Sequence, residues 1–212
     1  MRFRVYDVKH PASKQGKPLI RSITLLFSLL AIALTGSSSA AELAGVKVDD
    51  KVKLSASGPD LVLNGAGLRT RYKFKVYVAA LYLPEKKPSA TEVIALKGPK
   101  RVQLWLMRDV EADQMSTALI EGLNANLSAA ELEKSKAQIQ QLNATLVALR
   151  ELKEGDVMTF DLLPGAGTRI SVNGRLLGTP IAGDDFHVAL LKIWLGDNPV
   201  QADLKKALLG QT

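Results

Sequence analysis

Between Leu63 and Pro84 the chain reads LNGAGLRTRYKFKVYVAALYLP, and in it Arg69, Arg71, Lys73 and Lys75 alternate with Thr70, Tyr72, Phe74 and Val76. A side-chain period of two places such cations along one face of a strand. For Arg71, Lys73 and Lys75 the plain reading is a row that faces solvent. Arg69 stands just after Gly65-Ala66-Gly67, which is expected to be a turn, so it falls where a strand's end can face a cleft. A guanidinium there offers a planar fork of donors, able to hold a carboxylate or polarise a carbonyl. The competing partner is a nearby acid, Asp60 or Asp109. Tyr77 and Tyr82 are separated by an odd number of positions and so fall on opposite faces of their strand. One of them suits the core and the other a pocket wall.

Other chemistries fail on residue types. The chain has no cysteine, which removes disulfides, thiolate metal sites, cysteine nucleophiles and cysteine-linked lipid anchors. Its histidines are His10 and His187, too few for a metal site built on several imidazoles, and no metal or cofactor is expected. His187 is expected as a partly exposed structural residue on a helix flank. There is no G-x-S-x-G, so a serine hydrolase triad is excluded as well. Gly65-Ala66-Gly67 opens a dinucleotide fingerprint, but Thr70 stands where the third glycine belongs. Gly165-Ala166-Gly167 lies between two strand patterns. Both are expected to be turns.

The formal charge of +7 is unevenly distributed: positions 1–40 carry a net +5 and the rest of the chain only +2. The basicity belongs to the leader, which removes the main argument for a nucleic-acid partner. In that leader a basic stretch precedes the apolar run Ile23 to Leu34 (ITLLFSLLAIAL), then small residues up to Ala40 and Ala41. This is the order of a secretory signal. Cleavage is expected after Ala40, with Ala41 second. The apolar run is shorter than the ~20 residues of a membrane span, so no stable span is expected after cleavage. Residues 41–212 would form a single exported domain, periplasmic or secreted.

The elements that must position Arg69 and Tyr77 can be read from periodicity. Val46–Leu54 alternates as a half-buried ribbon, Leu61–Leu63 leads to a turn at Asn64-Gly65, and Phe74–Leu83 and Val102–Val110 read as strands. A helix begins near Asp113 with Met115, Leu119, Leu123 and Leu127 on one stripe. Ser128 to Glu131 is a capping-box signature for a second helix, with Leu132, Ile139, Leu142, Leu146 and Leu149 as its stripe and Gly155 as its close. Val157–Leu163 and Thr168–Val172 pair, and Asn173-Gly174 turns the chain into Arg175–Gly178. Two helices finish it, one capped by Asp184 and stopped by Gly196, the other entered at Asn198-Pro199 and ended at Gly210. About six strands and four helices in separate blocks indicate α+β with an antiparallel sheet. A chain 47% apolar and 23% charged has the composition of a globular domain.

The run GAGLRTRYKFKVYVAALYL, with Met107-Arg108-Asp109, Arg175-Leu176-Leu177-Gly178 and Phe186…Ile193-Trp194-Leu195-Gly196 in that order, resembles the chalcone isomerase-like family and most closely its exported bacterial branch. The resemblance covers residues 42–210. It implies an open-faced β-sandwich, an antiparallel sheet with a helical layer on one face. The family contains isomerases that close a flavanone ring and relatives without that activity, some of which bind fatty acids. Arg69 matches the isomerases' arginine. Tyr77 falls where they have a threonine, Met115 at their tyrosine, Gly122 at their asparagine and Ile193 at their second threonine. Four of the five polar positions thus differ, which argues against isomerase chemistry. In the fatty-acid-binding relatives the arginine is accompanied by a tyrosine on the neighbouring strand, as Arg69 is by Tyr77.

The resemblance therefore implies a non-catalytic binder of a small amphipathic carboxylate, with Arg69, Tyr77, Met115 and Ile193 at the ligand. Two other functions stay open. An intramolecular lyase or isomerase with an altered substrate would turn over an enone. An envelope module with a vestigial cleft would hold a protein partner that the sequence does not name.

Overall fold

The structure is a computed structural model that describes residues 41–211; the expected signal segment 1–40 and its cleavage point lie outside the described residues. From the N-terminus, β1 (Ala41–Leu43) and β2 (Val46–Val48) form a short antiparallel ribbon. Next come β3 (Lys51–Lys53), β4 (Asp60–Arg71) and β5 (Phe74–Leu83), then helix α1 (Ala90–Ala95) and β6 (Lys100–Leu106). β7 (Val110–Glu111) leads into α2 (Ala112–Asn126), α3 (Ala129–Lys134) and α4 (Lys136–Val147), and β8 (Glu151–Leu152) pairs back with β7. β9 (Val157–Leu163), β10 (Gly167–Val172) and β11 (Arg175–Ile181) precede α5 (Asp184–Leu195) and α6 (Ala202–Leu208).

Seven of these strands make one antiparallel sheet in the order β11-β10-β9-β6-β5-β4-β3. The alternation along β5 decides its two faces. Tyr77, Ala79, Leu81 and Leu83 join the core under the helices, while Val78, Ala80 and Tyr82 join a smaller apolar cluster with Val48, Leu54 and Leu61 on the other side. Tyr77 and Tyr82 are accordingly on opposite faces, as their spacing requires. The helical layer, built from α2, α4, α5 and α6, covers the first face with residues such as Leu119, Leu142, Phe186 and Leu204. This is the α+β architecture expected, an antiparallel sheet with helices on one face. Among the described residues no helix is long and apolar enough to cross a membrane.

Several local expectations are corrected. β4 runs straight through Asn64-Gly65 and Gly65-Ala66-Gly67, with a register shift at Leu63/Gly65, and none of these residues has a positive φ. Asn64 is instead buried, donating to the Leu208 carbonyl (2.7 Å) and accepting from the Lys87 backbone N–H (2.7 Å). The glycines serve close approach. A Cβ at Gly65 would meet the Ala207 carbonyl oxygen at 2.0 Å, and one at Gly67 would meet the Ala207 Cβ at 2.7 Å. Only residues without a side chain let α6 lie directly on the strand backbone. The chain reverses at Tyr72-Lys73, beyond Arg69. Gly165-Ala166-Gly167 does form a turn, with φ of 76° and 83° at its glycines.

The Val46–Leu54 ribbon divides at Asp49-Asp50, where the Asp50 carbonyl accepts from Leu63 N–H. The strand entered at Gly98-Pro99 stops at Leu106, and Val110 belongs to the separate β7–β8 pair. The capping box at Ser128 and Glu131 is present, but its helix breaks at Ser135 and its successor ends at Val147, before Gly155. The reason is packing: α3 buries no residue, whereas α4 buries Leu142 and Leu146. Asp184 accepts from Gly165 N–H rather than capping α5, whose N-cap is Gly183. Asn198 is held as a loop by Asn126, so α6 starts only after Gln201. With these divisions there are eleven strands and six helices among the described residues. His187 is not on an exposed flank; it is 1% exposed, on the buried side of α5 and against Thr168.

Candidate functional site

Arg69 and Tyr77 face one another across β4 and β5 as register partners, which puts guanidinium and phenol on the helix-covered face of the sheet. Both line a cavity of about 340 Å³ between the sheet end and the helices. Met115, on α2, and Ile193, on α5, line the same cavity, so the structure brings all four expected residues together. Their roles differ with their chemistry. Val76, Leu104, Met115, Leu119, Ile193 and Val200 give the cavity an apolar wall, and Arg69, Tyr77 and Arg108 give it donors. The volume is at the lower end of the range for small-molecule sites.

Among the described residues no acid pairs with Arg69. Asp60 pairs with Lys53 (3.4 Å), and Asp109 pairs with Lys153 (3.1 Å) and accepts from the Glu154 backbone (2.9 Å). That backbone bond, with Lys153, holds the Asp109 carboxyl below its ordinary range. From Arg69, Nη1 donates to the Thr70 carbonyl and to Gln201 Oε1 (3.3 Å). Apart from the Tyr77 phenol, which lies within hydrogen-bonding reach of the guanidinium, no further side-chain acceptor meets the fork among the described residues. An unpaired cation beside an apolar cavity is a ready carboxylate site.

Gln201 was not legible as part of this site. Its side chain accepts from Thr70 N–H (2.9 Å) as well as from Arg69, and donates to the Leu68 carbonyl (3.4 Å). It sits at the N-cap of α6, the helix that the two β4 glycines allow onto the strand. The glycine run therefore positions the arginine by bringing a helix, not by turning the chain. The sequence signal was there in the G-x-G spacing, which also fits close packing.

Tyr77 is buried, and burial raises its phenol above the ordinary tyrosine value; the Trp194 hydrogen bond and the Arg69 charge only partly offset this. Trp194 Nε1 donates to the phenol oxygen at 3.0 Å. A tyrosine that accepts from an indole and keeps its own proton can donate that proton into the cavity. Arg69 and Tyr77 together thus supply a charged fork and a neutral O–H donor at one end of an apolar space.

The positions that depart from the isomerase pattern are also coupled in space. A Cβ at Gly122 would meet Ile193 Cγ2 at 2.8 Å, so Ile193 occupies the room that a side chain at 122 would need. Gly122→Asn is expected to cost about 1–3 kcal/mol by overpacking. The same change should cost less in an Ile193→Ala background, which removes both Cγ atoms, measured by urea unfolding. Equal costs with and without the second change would mean that Ile193 is not what fills that space.

A family model described as chalcone isomerase-like matches residues 40–210. None of the curated proteins matches the chain. Among solved structures, the chain is similar to a fatty-acid binding protein of Arabidopsis thaliana, with 11% identity and a TM-score of 0.56 over 81% of this chain and 96% of that one. At that identity the likeness is one of fold.

Proposed function

Because the chain belongs to the chalcone isomerase-like family, we propose that it is a non-catalytic binder of a small amphipathic carboxylate, such as a fatty acid. The observation that carries this is Arg69: a guanidinium without a carboxylate partner among the described residues, beside a protonated tyrosine, at the polar end of an apolar cavity. The ligand's carboxylate lies on the Arg69 fork and accepts from Tyr77, and its tail lies against Met115, Leu119 and Ile193. Each methylene removed from water contributes about 0.8 kcal/mol, so the tail supplies most of the affinity and the head sets the direction. The greasier surroundings at Met115 and Ile193 favour this over turnover of an enone. The likeness in fold to a fatty-acid binding protein supports the same reading.

We place the protein outside the cytoplasm, with residues 1–40 as a cleaved signal and residues 41–212 as the mature domain. The order of basic, apolar and small residues in the leader supports this.

One experiment addresses both. The full chain is expressed in an exporting host, purified without detergent or organic solvent, and weighed by native mass spectrometry. The expected protein mass begins at Ala41, and a further mass leaves on solvent extraction. With Arg69→Ala the retained mass is expected to disappear, and affinity for added decanoate to fall roughly 10- to 100-fold, the loss of a charge-assisted contact of about 1.5–3 kcal/mol. Unchanged decanoate affinity in Arg69→Ala would overturn the binding mode.

A further inference from the structure

The β4–β5 hairpin ends in a short loop, Tyr72-Lys73, because Arg71 pairs with Phe74. Tyr72 adopts a φ of 56°. This is a left-handed conformation that glycine ordinarily takes at the first position of such a loop. A bulky aromatic residue there carries a conformational cost that a glycine would not. Tyr72 is 90% exposed and Phe74 is 60% exposed, the two most exposed large apolar side chains of the described residues. Both line the Arg69 cavity, so this exposed pair forms its outer rim.

The rim is also basic. Residues 69–75 contain Arg69, Arg71, Lys73 and Lys75 and no acid. The Arg71 guanidinium stands 6.0 Å from the Tyr72 ring centre, and that of Arg108 stands 5.1 Å from the Phe74 ring centre. Both are within reach of a cation–π attraction. Three acids lie near. Asp109 is paired with Lys153, and Asp113 and Glu121 share a shallow depression with Arg71. Asp113 and Glu121 stand on the α2 side of Arg71, and Lys73, Lys75 and Arg108 remain in excess at the tip.

We propose that the β4–β5 tip is a docking surface for an anionic lipid bilayer, entered by Tyr72 and Phe74 and held by Arg71, Lys73, Lys75 and Arg108. The chemistry fits that partner. Aromatic rings favour the level of the headgroups, where one side is apolar and the other wet. Cations beside them are drawn to an anionic leaflet, within about a Debye length of its surface. The cavity opens at the same rim, so an acyl chain passing between bilayer and protein need not cross water. Docking stands on the tip's own residues; only the passage of an acyl chain rests on the carboxylate-binding reading above.

The test uses the full chain carrying Tyr72→Trp, mixed with vesicles whose acyl chains are brominated, with the parent chain and its Trp105 and Trp194 as the reference. Quenching at position 72 reports the tip itself, whatever other segment touches the vesicle. The expected result is strong quenching by phosphatidylglycerol vesicles, little by phosphatidylcholine, and weakening at high salt. Lys73→Gln and Lys75→Gln in that background should each lower vesicle affinity about five-fold. Phe74→Trp gives the same reading if Tyr72→Trp does not fold. Absence of quenching at both positions, or equal quenching by phosphatidylcholine, would overturn the proposal. If that happens while the Arg69-dependent mass is retained, docking alone fails and ligand binding stands.

Discussion

Gly65→Ala is expected to destabilise the protein by about 3 kcal/mol, a large part of the stability of an ordinary domain. The new methyl would stand 2.0 Å from the Ala207 carbonyl oxygen and 2.9 Å from both Gly210 N and Leu208 C, all backbone atoms of α6 or of its end. No rotamer change can relieve a clash with backbone, so the C-terminal turn of α6 must move. Moving it also stretches the buried hydrogen bond from Asn64 to the Leu208 carbonyl, worth about a further 1 kcal/mol. Gly67→Ala should cost less, because its new methyl meets the Ala207 and Leu204 side chains at 2.7 and 2.8 Å. Combined with Ala207→Gly it should recover part of that loss, whereas Gly65→Ala gains little from the same partner change. Urea unfolding of the four variants decides the matter. A cost below about 1 kcal/mol for Gly65→Ala would show that α6 is free to shift. A second consequence reaches the site: displaced α6 carries Gln201 away from Arg69 and Thr70. Decanoate affinity should therefore fall in Gly65→Ala although residue 65 touches no ligand.

That pair of glycines also shows how far the sequence could be read. β5 and β9 have the limits their patterns indicate, Phe74–Leu83 and Val157–Leu163, each a largely apolar run stopped by a proline, Pro84 and Pro164. The Ser128–Glu131 capping box was equally plain, since its signal and its structure lie within one short stretch of chain. Arg69 and Tyr77 could be paired only through the family resemblance, since the residues themselves indicated a turn before Arg69 rather than the hairpin that joins the two strands. Glycine, however, signals either a positive φ or a close approach, and only the position of α6 decides between them at Gly65 and Gly67. Gln201 lies 132 residues from Arg69 along the chain, so no local pattern links the two. The burial of His187 was hidden for a related reason. A helix with apolar residues at nearly every position, as in α5, is buried on most of its circumference, and a single polar residue does not mark an open flank.

His187 leads to the other large effect, an acid-sensitive stability. Burial is the main cause of a histidine pKa lowered to about 3, with the nearby Lys100 charge pushing the same way. Lys100 is itself buried, its Nζ donating to the Leu96 carbonyl at 2.6 Å, so the charge that acts on His187 is positive and adds to the loss of water. On the other side the ring meets the Thr168 hydroxyl at 3.5 Å from Nδ1, and Nε2 has no partner among the described residues. The unfolded chain protonates this imidazole near its ordinary pKa of about 6.5, while the folded chain keeps it neutral down to about 3. The unfolded state thus binds more protons throughout that window, and stability must fall as the pH falls through it. The contribution is complete above the unfolded value. At pH 5 the loss from this one group is about 2 kcal/mol, and it approaches about 3 kcal/mol near pH 4. Carboxylates such as Glu131, whose pKa is lowered to about 2 by Lys192 and the Ser128 cap, lose their own contribution as pH falls below about 4.5. The interval between pH 6.5 and 5 therefore isolates the histidine. Urea unfolding across that interval should show a steady decline for the parent chain and a nearly flat line for His187→Leu. A parent curve as flat as the variant's would mean that water reaches the imidazole, and that the helical layer over β10 opens in the folded protein.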